Sequence, residues 1–147
     1  MKYRLIISPI LLLVIPHLLI AQTKADDITG IWLIPGKESA KIEIYKAGEK
    51  YYGKIAWLKY PEENGKPKVD SNNPDKTKRG RQIIGLVILR GFKFDGSDEW
   101  EDGKIYDPES DKTYSGNLSL KNDKLNVRGY VGISLFGRTE TWQRADN

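Results

Sequence analysis

The sequence predicts an all-β domain, a single antiparallel β-barrel of roughly eight strands, and three observations carry that prediction. From residue 28 onward no window of about eleven residues shows a helical period. Short alternating segments bounded by Gly, Asp, Asn and Pro recur instead, roughly every ten to fifteen residues. Gly53, Gly85, Gly116 and Gly129 each stand inside an otherwise good strand, where glycine weakens pairing unless the strand bends sharply or admits a close neighbour. A two-sheet sandwich is the alternative, with the same glycines as scattered bulges.

The chain opens with MKYRLIISPILLLVIPHLLIAQ, in which Lys2 and Arg4 precede an apolar run over 5–20. This reads as a secretory signal peptide, 1–21, cleaved after Ala21, with Ala25 as the second choice. Pro9 and Pro16 interrupt the run, and it is shorter than the ~18–20 residues of a spanning helix. An uncleaved anchor is the alternative. No cysteine follows to carry a lipid, so the expectation is a soluble exported protein, periplasmic or secreted, with no transmembrane span after cleavage. Residues 22–27 read as a short linker and 28–145 as the barrel.

Strands are expected at 29–34 (TGIWLI), 40–46 (AKIEIYK), 51–58 (YYGKIAWL), 83–92 (IIGLVILRGF), 99–107 (EWEDGKIYD), 112–120 (KTYSGNLSL), 124–131 (KLNVRGYV) and 137–144 (GRTETWQR). The second is the clearest, because Ala40, Ile42 and Ile44 alternate with Lys41, Glu43 and Tyr45. The turn AGEK joins it to the third as a hairpin. Eight such strands can close into a barrel that leaves no exposed edge. Residues 61–82, PEENGKPKVDSNNPDKTKRGRQ, are too polar for core and too long for a hairpin loop. A lid, a partner surface or a flexible excursion would each suit them.

Composition removes several function classes. The mature chain lacks cysteine, and its single histidine, His17, leaves with the signal. A Ser-His-Asp triad, a cysteine nucleophile and an ordinary zinc site are therefore excluded, and no metal or cofactor is expected. Stability must come from a packed core, without disulfides. Losing Lys2 and Arg4 leaves 22 basic against 20 acidic residues, a net charge of +2, which is a weak case for a polyanion partner. Nucleic acid is not expected.

The stretch WEDGKIYDPESDKTYSG, 100–116, carries five carboxylates, but its two acidic groups are separated by GKIY and lack the spacing of a calcium loop. Asp107 and Pro108 instead begin a turn, with Asp107 and Asp111 placed to bond nearby amides. Glu101 and Glu140 are the pair a glycosidase reading would use, provided they face one cavity. In 61–82, Lys66, Lys68, Lys76, Lys78, Arg79 and Arg81 outnumber Glu62, Glu63, Asp70 and Asp75; from Lys66 onward the excess suits either a solvated loop or contact with phosphate, lipid head groups or an acidic polymer. Its DSNNPD segment reads as a structured turn in which Asp70, Asn73 and Asp75 cap backbone amides.

Taken in order, GIW, YYGKIAWL, DSNNPDKTKRGRQIIGL, ILRGF, W..GKIYDP, KTYSG, VRGYVG and LFGRTETWQR resemble the bacterial family catalogued as domain of unknown function 2147, over roughly residues 28–144. The resemblance implies an exported lipocalin-like (calycin) barrel, without established enzymatic activity and with a suspected role in holding a small apolar molecule. It also implies that Trp100, Asp107 and Pro108 belong to a strand, turn and strand of the barrel. Gly30 and Trp32 are similar to the Gly-x-Trp of lipocalins, whose indole is covered by an arginine of the last strand; Arg138 or Arg144 would play that part.

If the barrel is closed, Tyr51, Gly53, Ile55 and Trp57 form the inner set of their strand, as do Tyr114, Gly116, Leu118 and Leu120, then Leu125, Val127, Gly129 and Val131. Tyr51, Trp57 and Tyr114 are then ligand-contact candidates, since rings with polar tips suit a pocket for an apolar molecule, although such rings equally serve as core. Arg138, Glu140, Trp142 and Arg144 share one face of the last strand, and the sequence leaves open whether it points inward. Arg138, Glu140 and Trp142 complete the candidate ligand set. The leading expectation is a non-catalytic binding protein for a small hydrophobic or amphipathic molecule. The rivals are a structural or interaction module working on an envelope component, and a carboxylate-based hydrolase.

Overall fold

The computed structural model describes residues 23–145; the expected signal peptide, with its expected cleavage after Ala21, and His17 lie outside the described residues. Ten strands are present: β1 (Gly30–Ile34), β2 (Ala40–Ala47), β3 (Lys50–Leu58), β4 (Glu62–Glu63), β5 (Lys66–Pro67), β6 (Val87–Phe94), β7 (Glu99–Asp107), β8 (Lys112–Lys121), β9 (Lys124–Tyr130) and β10 (Arg138–Arg144). Eight of them close into an antiparallel barrel in the order β1-β10-β9-β8-β7-β6-β3-β2, and β4 with β5 makes a separate small hairpin. The barrel is the predicted one, and the sandwich is set aside by the β1–β10 pairing, which matches Trp32 with Arg144 and Leu33 with Gln143. Among the described residues no helix is long and apolar enough to cross a membrane.

Alternation places the core. In β2, Ala40, Ile42 and Ile44 are buried while Lys41, Glu43 and Tyr45 are only partly covered, as a half-buried strand requires. Tyr51, Gly53 and Ile55 continue that inner face on β3. The register with β2 then slips, so that Ile42 pairs with Ile55 but Lys41 with Trp57. This bulge inverts the parity of the strand's end. Trp57, expected inside, therefore stands on the outer face beside the Lys41 ammonium, 6.0 Å from its ring centroid, and Leu58 packs against the core in its place. Val131 also departs from expectation: β9 ends at Tyr130, and Val131 is exposed in the following loop.

The glycines mark close approach, though not all four as expected. A Cβ on Gly116 would lie 2.6 Å from Ile105 Cδ1, and one on Gly53 would lie 2.9 Å from Leu89 Cδ1. Gly129 pairs with Gly116 across β8 and β9. Gly85 lies before β6, which starts at Val87 rather than 83, and its φ of +91 belongs to a turn. The tightest site is Gly103, where a Cβ would meet the Phe92 ring at 2.3 Å. Phe92, itself fully buried, thus fills the middle of the barrel through space that Gly103 and Gly116 leave free.

One end of the barrel is sealed. Residues 25–28, the first three of which the sequence assigns to a linker, form a 3-10 turn under the β2–β3, β6–β7 and β8–β9 hairpins. Ile28, Trp32 and Trp100 are completely buried there; the Trp32 indole donates to the Ile28 carbonyl at 2.8 Å and the Trp100 indole to the Ala25 carbonyl at 3.0 Å. Those bonds satisfy the polar edges of two large buried rings. The other end carries the loops 35–39, 59–86, 108–111 and 131–137.

Candidate binding site at the open end of the barrel

The sealed end fixes the roles of several expected residues. Arg144 covers the Trp32 indole, its guanidinium carbon 4.2 Å from the ring centroid. Its NH1 donates to the Thr29 carbonyl at 3.1 Å and its NH2 to the Asp27 carbonyl at 2.7 Å, while Asp123 accepts from its Nε at 3.1 Å. Of the two arginines considered for this contact, Arg144 makes it. Arg138 starts β10 at the opposite end. Gly30, beside the same guanidinium, has φ +116, which a side chain rarely adopts.

Tyr51 also belongs to the sealed end. It is buried edge-on to Trp100, with ring centroids 6.4 Å apart, and its hydroxyl donates to the Asp26 carboxylate. That donor, followed by the Lys46 ammonium, holds Asp26 below its ordinary value. Burial, then the Asp26 bond, pushes the Tyr51 phenol up.

At the other end the last strand answers the question of its facing. Arg138 pairs with Gly129, Glu140 with Val127 and Trp142 with Leu125, and Val127 and Leu125 are buried core positions. Neighbours across a ladder share a face, so Arg138, Glu140 and Trp142 point inward. Trp142 is buried, yet Arg138 and Glu140 are exposed, which leaves the inner wall accessible near the open end. The Trp142 indole donates to Glu140 Oε2 at 3.3 Å. Tyr114, partly buried on the inner face of β8, pairs with Ile105 and sits beside Gly129. The structure thus brings Tyr114, Arg138, Glu140 and Trp142 to one end, and separates Tyr51 and Trp57 from them.

The β9–β10 loop forms part of the same rim. Arg128 holds it from below, donating from Nε to the Ser134 carbonyl at 2.9 Å and from NH1 to Thr139 Oγ1 at 2.8 Å. So anchored, the loop exposes Val131, Ile133, Leu135 and Phe136, the last two at 77% and 80%. Apolar side chains left this exposed side by side are uncommon on protein surfaces.

The long connection is a folded element. Its middle packs on the outer wall of the barrel, where Asp70 is 1% and Asn73 6% exposed. Asp70 accepts from the Tyr106 hydroxyl at 2.7 Å, from Asn73 Nδ2 at 2.7 Å and from Arg81 NH2 at 3.0 Å. Asp70 therefore does not cap backbone amides as expected. Asn73 and Asp75 do: Asn73 Oδ1 accepts from the Asp75 amide at 2.9 Å, and Asp75 Oδ1 from the Thr77 amide at 3.0 Å. Burial raises the Asp70 pKa, but the bonds from Tyr106, Asn73 and Arg81 together outweigh it and leave it lowered. Burial, then the Asp70 bond, pushes Tyr106 up to about 12. In the turn after β7, Asp107 accepts as expected from the Glu109 amide at 3.0 Å, and from Ser110 Oγ at 2.6 Å, whereas Asp111 serves the turn through its backbone, with φ +61.

Glu101 and Glu140, the pair of the glycosidase reading, do not come together. Glu101 lies near the sealed end, paired with Lys93, whereas Glu140 lies towards the mouth. Glu101 instead approaches Asp95 and Glu99, with one carboxylate oxygen of each within 4.8 Å of the others. Asp95 is already committed to the hairpin, accepting from the Ser97 amide at 2.8 Å. Sequence reasoning also missed Asp26, Tyr106 and Phe92, whose roles depend on partners distant in the chain.

The family described as "Uncharacterized protein conserved in bacteria (DUF2147)" matches residues 30–144. Among solved structures, HP1028 from the human pathogen Helicobacter pylori, described as belonging to the lipocalin family, superposes with a TM-score of 0.72 at 24% identity, covering 81% of this chain and 83% of that one. No curated protein matches. The family match runs from the first strand of the barrel to the last, and the likeness to HP1028 is one of fold: this chain belongs to the DUF2147 family and is built as a lipocalin-like barrel.

Proposed function

We propose that this protein is an exported, non-catalytic binding protein that takes a small amphipathic molecule at the open end of its barrel. The observation that carries the reading is the inward-facing yet exposed pair Arg138 and Glu140 above the buried Trp142. Charged side chains on an inner wall are costly unless they meet solvent, each other or a ligand. Phe92, Trp100 and Trp32 fill the middle and sealed end, so the ligand sits shallowly, its head group at Arg138, Glu140 and Tyr114 and its apolar part against the Val131–Phe136 rim. Export follows from the reading of residues 1–21 as a signal peptide.

Native mass spectrometry of the mature protein purified from its own host, with extraction of bound molecules, tests the proposal. A stoichiometric amphipathic species is expected, and Arg138→Ala and Glu140→Ala should each weaken its rebinding about tenfold, the loss of one charge-assisted contact. Empty protein whose Trp fluorescence also ignores added fatty acids and phospholipids would remove the reading.

The exposed side chains of the 131–136 loop favour a second reading, an interaction module that docks on an envelope component. Leu135→Ser with Phe136→Ser would then abolish envelope association, whereas Arg138→Ala with Glu140→Ala would leave it intact.

A further inference from the structure

Two cavities of about 340 Å³ each adjoin one another outside the barrel, between the long connection and the β6–β7 wall, and both are lined by Arg81 and Arg90. The first also receives Lys78, Lys104, Tyr106 and Thr113, so four cationic side chains meet there against one carboxylate, Asp75. Lys78 is paired with Asp75 at 3.3 Å and Arg81 with Asp70 at 3.0 Å. Arg90 and Lys104 have no acidic partner among the described residues; Arg90 donates to the Val87 carbonyl, and Lys104 to Ser115 Oγ at 3.0 Å.

Their placement is the unusual feature. Arg90 and Lys104 are direct partners across the β6–β7 ladder, and like charges in that position destabilise a sheet. Above them, Arg81 Nε is buried without a hydrogen-bond partner, although a buried donor normally has one. An anion in the groove would relieve the like-charge pair directly. The remaining lining is suited to phosphate, since guanidinium groups bond its oxygens in pairs and the Thr113 hydroxyl adds a neutral donor. The buried Asp70–Tyr106–Asn73 network holds the roof in place over the β7 wall.

We propose that this groove is a second binding site, separate from the barrel mouth, for a phosphate-bearing ligand gripped by Arg81, Arg90 and Lys104. The test is calorimetric titration of the purified protein with pyrophosphate at low salt, beside cosedimentation with phosphatidylglycerol and phosphatidylcholine vesicles. Saturable binding at one site is expected, weakened at least tenfold by Arg90→Gln or Lys104→Gln and unchanged by Lys121→Gln, a cation at the other end of the barrel. In phosphate-free buffer both site variants should melt at or above the wild-type temperature, because the like-charge pair is gone; that separates a lost ligand from a failed fold. Binding of free pyrophosphate assigns a soluble phosphorylated compound, and selective sedimentation with phosphatidylglycerol alone assigns a lipid head group. Absence of both, or equal binding by the wild type and the Arg90 and Lys104 variants, overturns the proposal.

Discussion

A carboxylate taken out of water needs donors for its oxygens, and Asp70 finds them in Tyr106, Asn73 and Arg81. The pairing carries a pH signature. Asp70 is lowered from its ordinary 3.8, so the native state binds fewer protons there, and its stabilisation is present above pH 3.8 and lost as pH falls below it. Tyr106 is raised from 10.0 to about 12, so its stabilisation is present below pH 10 and lost as pH climbs to about 12. Tyr106→Phe should cost about 1–3 kcal/mol at neutral pH, the penalty of a buried acceptor losing a donor. It should also shallow the alkaline loss of stability, with Tyr51, raised as well, retaining a share. Thermal melts of wild type and variant from pH 7 to 12 check both. DSNNPD was legible as a structured turn, but Tyr106 lies 36 residues from Asp70, and no local rule joins them.

At the scale of elements, alternation is the legible signal and bulges are the obscure one. β2 reads directly because its inner and outer residues never change places, whereas β3 slips by one position near its end and turns Trp57 outward. The slip is a property of the pair of strands, so neither strand's sequence announces it. β10 shows a second case: its two faces both look plausible until its partners Leu125 and Val127 are known. Its last residue ties the element to the sealed end. Arg144→Ala removes the cover of Trp32 and two bonds to the 3-10 turn and its exit, an expected loss of about 2 kcal/mol. Arg144→Lys should recover little of it, since one ammonium cannot stack on the ring and reach both carbonyls. Chemical denaturation of the three proteins measures the difference.

For the whole molecule, closure is the property that makes the strands interdependent. Each barrel strand pairs with two others, and the final joint links Trp32 to Arg144, the two ends of the domain. Contacts of that sequence separation form late and cooperatively. A chain ending at Gly137 would leave β1 and β9 as unpaired edges and expose Trp32 and Leu125, normally fully buried. Such a chain should lose near-UV circular dichroism and aggregate, while the full chain unfolds in a single transition; a truncated protein that keeps the native spectrum would contradict this.

The eight barrel strands, their antiparallel order and the lack of cysteine in the chain and of histidine after residue 17 were determined by the sequence alone, because alternation, turn residues and composition are local. Tertiary structure decided which residues meet. It assigned Arg144 rather than Arg138 to Trp32, sent Tyr51 to the sealed end, placed Gly103 beneath Phe92, folded the middle of the long connection onto the outer wall through Asp70 and set Arg90 opposite Lys104. Each of these follows from register and closure, which bring together side chains that the covalent chain holds far apart.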